Sequence, residues 1–313
     1  MPPHRSLAAL AALAAACATL TACGPRSTPD TAPGGGPIVV TTTTQVADIA
    51  RAVAGNRASV RQILQPNSDP HEYEPRPSDV KSVSDAGVVI RSGGDLDAWL
   101  DGVLRNAGSD AKVVTLIDAM RTRRGDGEVD PHWWQNPRNA IVAVARIRGA
   151  LATADPAGAA AYRINAGAYT TKLGALDEAI AACMRAIPDA KRRLVTDHDA
   201  LGYYAARYDI DVIGTVIPAL STQAQASAGE VARLVRTIRA AGVTTIFPES
   251  SVNAKLTRAI ADDASATVGP ALYADALGAE GSAGETYVGS LRFNTRALAA
   301  GFGGAAAAGR CQL

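Results

Sequence analysis

Asp155 to Pro188, DPAGAAAYRINAGAYTTKLGALDEAIAACMRAIP, is the stretch on which the architecture turns. Asp155 offers an N-cap, and Pro156 suits the first helical position, where its missing N–H has no intrahelical partner to lose. Beyond them alanine, leucine, threonine and lysine dominate, no proline intervenes before Pro188, and Gly167 and Gly174 are the weak points. The spacing predicts one helix of about 30 residues, about 45 Å long at 1.5 Å per residue. One α/β lobe does not need such length, so the helix reads as a spine joining two lobes.

Upstream of the spine, Ile38 to Thr43, Ala58 to Leu64, Gly87 to Ile90 and Lys112 to Leu116 read as strands. Helical patterns fall between them: Val46 to Val53, a short helix capped by Ser78, and Asp95 to Ala107, where Leu96, Trp99, Leu100 and Val103 recur at helical spacing. Arg121 to Glu128 is polar and glycine-containing, a surface loop, and Asn136-Pro137 opens a helix to about Ala154. Downstream the grammar repeats. Strands are expected at Arg193 to Thr196, Asp211 to Val216, Thr244 to Phe247 and Ala266 to Val268, and helices at Leu201 to Tyr208, Gly229 to Ala241, Asn253 to Asp263 and Gly284 to Ala299. Alternating strands and helices imply parallel sheets with right-handed crossovers. The expected fold is therefore α/β: two lobes with mainly parallel sheets, residues 38–154 and 189–313, joined by a single long helix within 155–188.

The first 37 residues are of another kind. His4 and Arg5 precede an apolar run from Leu7 to Leu20, too short to span a bilayer as a helix and typical of a signal peptide. It ends in Leu20-Thr21-Ala22-Cys23, which matches the bacterial lipoprotein signal, so residues 1–22 are expected to be removed and Cys23 to carry lipid. Residues 23–37 are rich in Gly, Pro, Ser and Thr and read as a flexible tether. An extracytoplasmic protein held at the outer face of the membrane follows. With Cys17 removed and Cys23 used, Cys183 and Cys311 remain in a compartment where disulfides persist, and they are expected to pair. A net charge of +1 with no basic stripe argues against nucleic acid as a partner.

Four histidines occur in the chain, and the three outside the signal peptide all lie in acid-flanked loops. His71 and His132 each end an Asp-Pro-His tripeptide, and His198 lies in Thr196-Asp197-His198-Asp199. His71 follows a strand, at the carboxyl edge where open α/β sheets bind ligands. Imidazole and carboxylate together suit a divalent first-row metal, so the three rings are expected to converge on one ion in the cleft between the lobes. The acids Asp69, Glu72, Asp130, Asp197 and Asp199, with Asn136 and Glu249, are candidates to stand behind the ligands and orient the rings. Trp133 and Trp134 read equally as cleft lining or as core.

Asp69-Pro70-His71-Glu72-Tyr73-Glu74-Pro75, Asp130-Pro131-His132-Trp133-Trp134, Thr196 to Tyr204 and Leu272-Tyr273-Ala274-Asp275-Ala276-Leu277-Gly278 together carry a resemblance. From Cys23 to about Phe302 the chain resembles the zinc- and manganese-binding solute-binding lipoproteins of bacterial ABC importers. The resemblance implies His71, His132, His198 and Asp275 as the metal ligands, and two α/β lobes joined by one long helix. Manganese binders of that group often have glutamate where His198 stands, so zinc is the expected ion and manganese the alternative. Many zinc-specific relatives carry a histidine-rich loop before the second motif, and Arg121 to Glu128 contains no histidine. A monomer that delivers its metal to an ABC permease is expected; lacking a Gly-x-x-x-x-Gly-Lys loop, the chain needs an ATPase on another subunit. A secreted metallohydrolase would require an open coordination position and a general base, and a lipoprotein adhesin would require no change of sequence.

Overall fold

The computed structural model describes residues 34–125 and 127–313, so the expected signal peptide, the Cys23 lipidation site and most of the tether lie outside the described residues. Strands β1 (Ile38–Thr41), β2 (Ser59–Gln62), β3 (Val88–Arg91) and β4 (Lys112–Thr115) form one parallel sheet in the order β2-β1-β3-β4. Val39, Val88 and Ile90 enter the main core, while Val40 and Val89 pack on the other face with Val83, Leu100 and Val103. Side chains alternate across a strand, and burial on both faces makes such strands read as unbroken apolar runs. Helices α1 (Thr44–Ala54), α2 (Pro77–Ser84) and α3 (Leu100–Ala107) provide the cover.

Three local expectations need correction. Ser78 is the second residue of α2, which begins at Pro77; the Arg76 N–H is held instead by Asp79 Oδ2 at 2.7 Å. The segment from Asp95 to Ala107 is split into a single 3-10 turn at Asp95–Asp97 and then α3. The cause is Asp97, whose carboxylate accepts the Ser92 N–H at 2.7 Å, the Gly93 N–H at 3.1 Å and the Thr42 hydroxyl at 2.7 Å. A buried acidic side chain bonded to upstream backbone favours a turn over helix continuation. The expected loop at 121–128 contains a small antiparallel hairpin of β5 (Arg124–Gly125) and β6 (Glu128–Val129).

Asn136 caps α4 (Pro137–Ala154), its side chain accepting the Arg138 N–H at 3.0 Å. Asp155 likewise caps a turn at Pro156–Gly158, from which the spine α5 runs 27 residues, Ala159–Arg185. At 1.5 Å per residue α5 is about 40 Å long. Gly158 has no substitute here, because a Cβ would lie 2.3 Å from Asp155 Oδ2 and 2.7 Å from the Tyr162 ring. In the second half of α5, buried Asp177 accepts Arg138 Nε of α4 at 3.0 Å and, from the other lobe, Arg207 Nη2 at 2.6 Å and the Tyr208 hydroxyl at 3.0 Å. One carboxylate on the spine thus ties both lobes to it.

The second lobe contains β7 (Arg193–Thr196), α6 (Gly202–Tyr208), β8 (Asp211–Thr215), α7 (Ala228–Ala241), β9 (Thr245–Ile246), α8 (Lys255–Ala264), β10 (Thr267–Val268), α9 (Tyr287–Gly303) and α10 (Ala305–Gly309). β7 pairs with β8 and β9 with β10, all parallel, and a parallel bridge from Thr196 to Phe247 joins the two pairs. The resulting order, β8-β7-β9-β10, repeats the order of the first lobe. Among the described residues, no helix is long and apolar enough to cross a membrane.

After α10, Cys311 is bonded to Cys183 of α5, the two Cα atoms 4.8 Å apart and 128 residues apart in sequence. Because the closed loop is long, the bond removes much freedom from the unfolded chain. Replacing both cysteines by alanine is expected to lower unfolding free energy by about 2–4 kcal/mol, read from denaturant midpoints. Thiol titration of the denatured wild-type chain before and after reduction checks the bond itself; free thiols before reduction would contradict it.

Candidate metal centre

The Asp-Pro-His tripeptide is a device for presenting a ring. Asp69 Oδ1 accepts the His71 backbone N–H at 2.9 Å, and Asp130 Oδ1 accepts that of His132 at 2.9 Å. An aspartate bonded two residues ahead makes a local turn, with the intervening proline fixing φ and offering no competing N–H. His71 lies in the loop between β2 and α2, and His132 just beyond β6. His198 stands two residues after β7, and Asp275 lies in the loop between β10 and α9.

These four residues, two from each lobe's stretch of sequence, bring one donor atom each to within 4.8 Å of all the others. Asp275 Oδ2 lies 3.1 Å from His198 Nε2 and 3.3 Å from His71 Nε2, and Asp275 Oδ1 lies 3.4 Å from His132 Nε2. His198 Nε2 and His132 Nε2 are 3.4 Å apart. A metal with ligands at about 2.0–2.1 Å in tetrahedral array has donor–donor edges of about 3.3 Å; these four pairs lie near that length, Asp275 meeting His132 with one oxygen and the other two rings with the second. His132, His198 and Asp275 are fully buried, and a cavity of about 160 Å³ bordered by Asp95, Glu128 and Gln223 reaches the site at His71.

Each inner ring is turned by a carboxylate behind it. His132 Nδ1 is 2.8 Å from Asp130 Oδ1, and His198 Nδ1 is 2.8 Å from Glu249 Oε1, which also accepts the His198 backbone N–H at 3.0 Å. With the Nδ1 proton given to a carboxylate, the Nε2 lone pair faces the centre. Asp197 acts one step further out: its Oδ2 accepts the Glu249 N–H at 2.8 Å, and its Oδ1 accepts the Thr257 hydroxyl. Asn136 is placed otherwise: its side-chain oxygen caps α4, and of the acids expected behind the rings it is Asp130 that stands at His132. Trp133 is core, its Nε1 donating to Ser92 Oγ at 2.9 Å, whereas Trp134 is cleft wall: its ring meets that of His132, and its Nε1 donates at 2.8 Å to the carbonyl of Ala274, next to Asp275.

The charge balance invites a cation. Both Asp275 oxygens and His71 Nε2 are buried without a hydrogen-bond partner among the described residues. A buried carboxylate left so is costly, and a divalent ion among the four donors removes the cost. Without a metal, protons take its place. Burial works against a charge on His198, but the Glu249 and Asp275 carboxylates outweigh it and push the imidazole well above its ordinary range. Burial likewise works against ionised Asp275, but His198 and His132 outweigh it and hold the carboxyl well below its ordinary range.

Residues 39–301 match the family model described as zinc-uptake complex component A, periplasmic. The chain is 34% identical over 282 residues to the manganese-binding lipoprotein MntA of Halalkalibacterium halodurans, covering 89% of this chain and 93% of that one. It is 31% identical over 269 residues to the iron-binding protein YfeA of Yersinia pestis, covering 85% and 86% of the two chains. Among solved structures, the periplasmic zinc-binding protein TroA of Treponema pallidum superposes with a TM-score of 0.81 at 27% identity, covering 86% of this chain and 99% of that one.

Two outcomes are expected from the geometry. Glu249→Gln and Asp130→Asn each weaken metal binding by about 10–100-fold, because each loosens a ring while leaving the ligand itself in place; competition titration against a chelating dye measures it, and unchanged affinity would remove the orienting role. The raised His198 value also sets a pH dependence. In the metal-free fold this group contributes stability that is complete below the unfolded value of about 6.5 and is lost as pH rises through the higher folded value. The metal must displace the same proton, so affinity climbs with pH across that window; titrations between about pH 5.5 and pH 8.5 that give a flat affinity would exclude a three-imidazole site.

Proposed function

The chain belongs to the zinc-uptake complex component A family of periplasmic proteins, and on that premise we propose that it captures Zn²⁺ outside the cytoplasm, with His71, His132, His198 and Asp275 as ligands. As a family member it is the extracytoplasmic metal-binding component of an ABC-type importer, which works with a permease and an ATPase on other chains. Members of the family are substrate-binding proteins and not enzymes. The metal is cargo, bound for release rather than for chemistry.

The observation that carries the choice of zinc is the donor set. Three imidazoles and one carboxylate, with donor pairs at 3.1–3.4 Å, form a small, nitrogen-rich shell. Manganese favours oxygen donors and more of them, whereas zinc accepts four donors of this kind. The names of relatives do not decide it, since those above bind manganese, iron or zinc by name. Four protein donors close a tetrahedral shell and leave no position for the activated water of a hydrolase. The lobes at 38–154 and 189–313, the joining segment at 155–188, the removal of residues 1–22, a lipid on Cys23 and a monomeric chain complete the proposal; the MntA relative is itself named a lipoprotein.

Metal-free protein given equal concentrations of Zn²⁺ and Mn²⁺ is expected to retain zinc, as measured by elemental mass spectrometry after desalting; retention of manganese would overturn the choice of ion. His198→Glu is expected to narrow or reverse the preference. His132→Ala is expected to abolish the zinc-dependent rise in melting temperature, a rise that ligand binding to the folded state alone produces, with little change in the metal-free melting temperature.

A further inference from the structure

The backbone carbonyl of Ala274, the residue before Asp275, accepts three side-chain N–H groups, all from the first lobe: Trp134 Nε1 at 2.8 Å, Gln135 Nε2 at 2.9 Å and Gln45 Nε2 at 3.3 Å. A carbonyl oxygen has two lone pairs, so the two short bonds saturate it and Gln45 is a longer third. On the other side of Asp275, the Leu277 N–H donates to Thr44 Oγ1 at 2.8 Å, and the Leu277 carbonyl accepts the Asn67 N–H at 2.9 Å. Thr44 and Asn67 also belong to the first lobe. The second lobe grips the loop before Asp275: the Tyr273 N–H and C=O both meet the Asn294 side chain at 2.9 and 2.8 Å, and Leu272 is bonded to Pro248 and Ser250 through the backbone.

We infer that Gln45, Trp134 and Gln135 are positioning residues for Asp275: the chain supplies this carboxylate from the second lobe, but the first lobe sets where it stands, through the Ala274 carbonyl. The inference rests on Asp275 being a ligand of the captured metal. It follows that His71, His132 and Asp275 move as one set. His198, backed by Glu249 and Asp197, is the ligand held by the second lobe alone. Separating the lobes would then withdraw His198 first, because carrying Asp275 away requires breaking the bonds at Ala274 and Leu277.

The alternative is that these bonds only hold the lobes together. Trp133 provides the control, since it is as buried as Trp134 but spends its indole N–H on Ser92 Oγ, away from the Asp275 loop. Trp134→Phe, Gln135→Met and Trp133→Phe are compared by zinc affinity, melting temperature of the metal-free chain, and the visible spectrum of the Co²⁺-loaded protein, which reports the ligand geometry. Trp134→Phe and Gln135→Met are expected to raise the zinc Kd about three- to tenfold, the loss of one hydrogen bond to a buried acceptor, and to change the Co²⁺ spectrum. Trp133→Phe is expected to leave Kd and spectrum as they were, even where it lowers the melting temperature. Unchanged Kd and spectrum in both test variants, or an equal loss in Trp133→Phe, would overturn the inference. Asp275→Asn, measured alongside, separates this failure from that of its premise: an unaltered Co²⁺ spectrum there would mean that Asp275 is not a ligand at all.

Discussion

A carboxylate with nowhere to go is the constraint on which the rest of the structure depends. Asp275 is 1% exposed, and neither of its oxygens meets a hydrogen-bond donor in proper geometry among the described residues. Three imidazole Nε2 atoms stand around it within 3.1–3.4 Å. Neutral rings turned this way present lone pairs to a negative charge, an arrangement that only a cation reconciles. The Glu249 and Asp275 carboxylates push the His198 imidazole above its ordinary range, and His198 and His132 hold the Asp275 carboxyl below its own. A divalent ion supplies the same compensation at one point, and the proton it displaces makes capture and release sensitive to pH.

Everything around that point keeps the donors from relaxing apart. Asp130 and Glu249 each accept from the backbone N–H and stand at the Nδ1 of the same histidine, so one oxygen fixes both the main chain and the ring. Farther out, Asp177 on the spine accepts from α4 and α6, and Asp48 on α1 accepts the Tyr169 hydroxyl of the spine at 3.3 Å and the Tyr287 N–H of the second lobe at 3.1 Å. Burial raises the Asp48 pKa although both bonds oppose it. A half-buried carboxylate on α1 and a buried one on α5 therefore tie the lobes together, and a buried acceptor that lost such partners would bear a large desolvation cost.

Each lobe uses the same strand order, with ligand-bearing loops leaving the carboxyl ends of the strands. In open parallel sheets that edge collects loops that point outward together. Two such edges facing one another across a rigid helix make a cleft, and a cleft that closes on four donors makes a site for an ion rather than for a larger ligand.

Much of this was legible in the sequence, for local reasons. The spine followed from an uninterrupted helical stretch between Asp155 and Pro188, and the parallel lobes from buried β-branched runs alternating with helical patterns. The three histidines stood out through their acidic loops, and at His71 and His132 the Asp-Pro-His tripeptide encodes its own turn. Asp97 breaks an otherwise plausible helix because, buried, it bonds back to Ser92, Gly93 and distant Thr42, while Asn136 looks like a site residue but caps its own helix two residues on. Asp275 came only from family resemblance, because nothing within its own loop marks it; Trp134, Gln135 and Gln45 place it through the Ala274 carbonyl, from 139 to 229 residues away from that carbonyl. The sequence by itself determined the elements and the chemistry of the donors, because both are written within a few residues. Only the tertiary structure decided which lobe holds which donor, because that depends on hydrogen bonds closed between segments that first meet when the chain is folded.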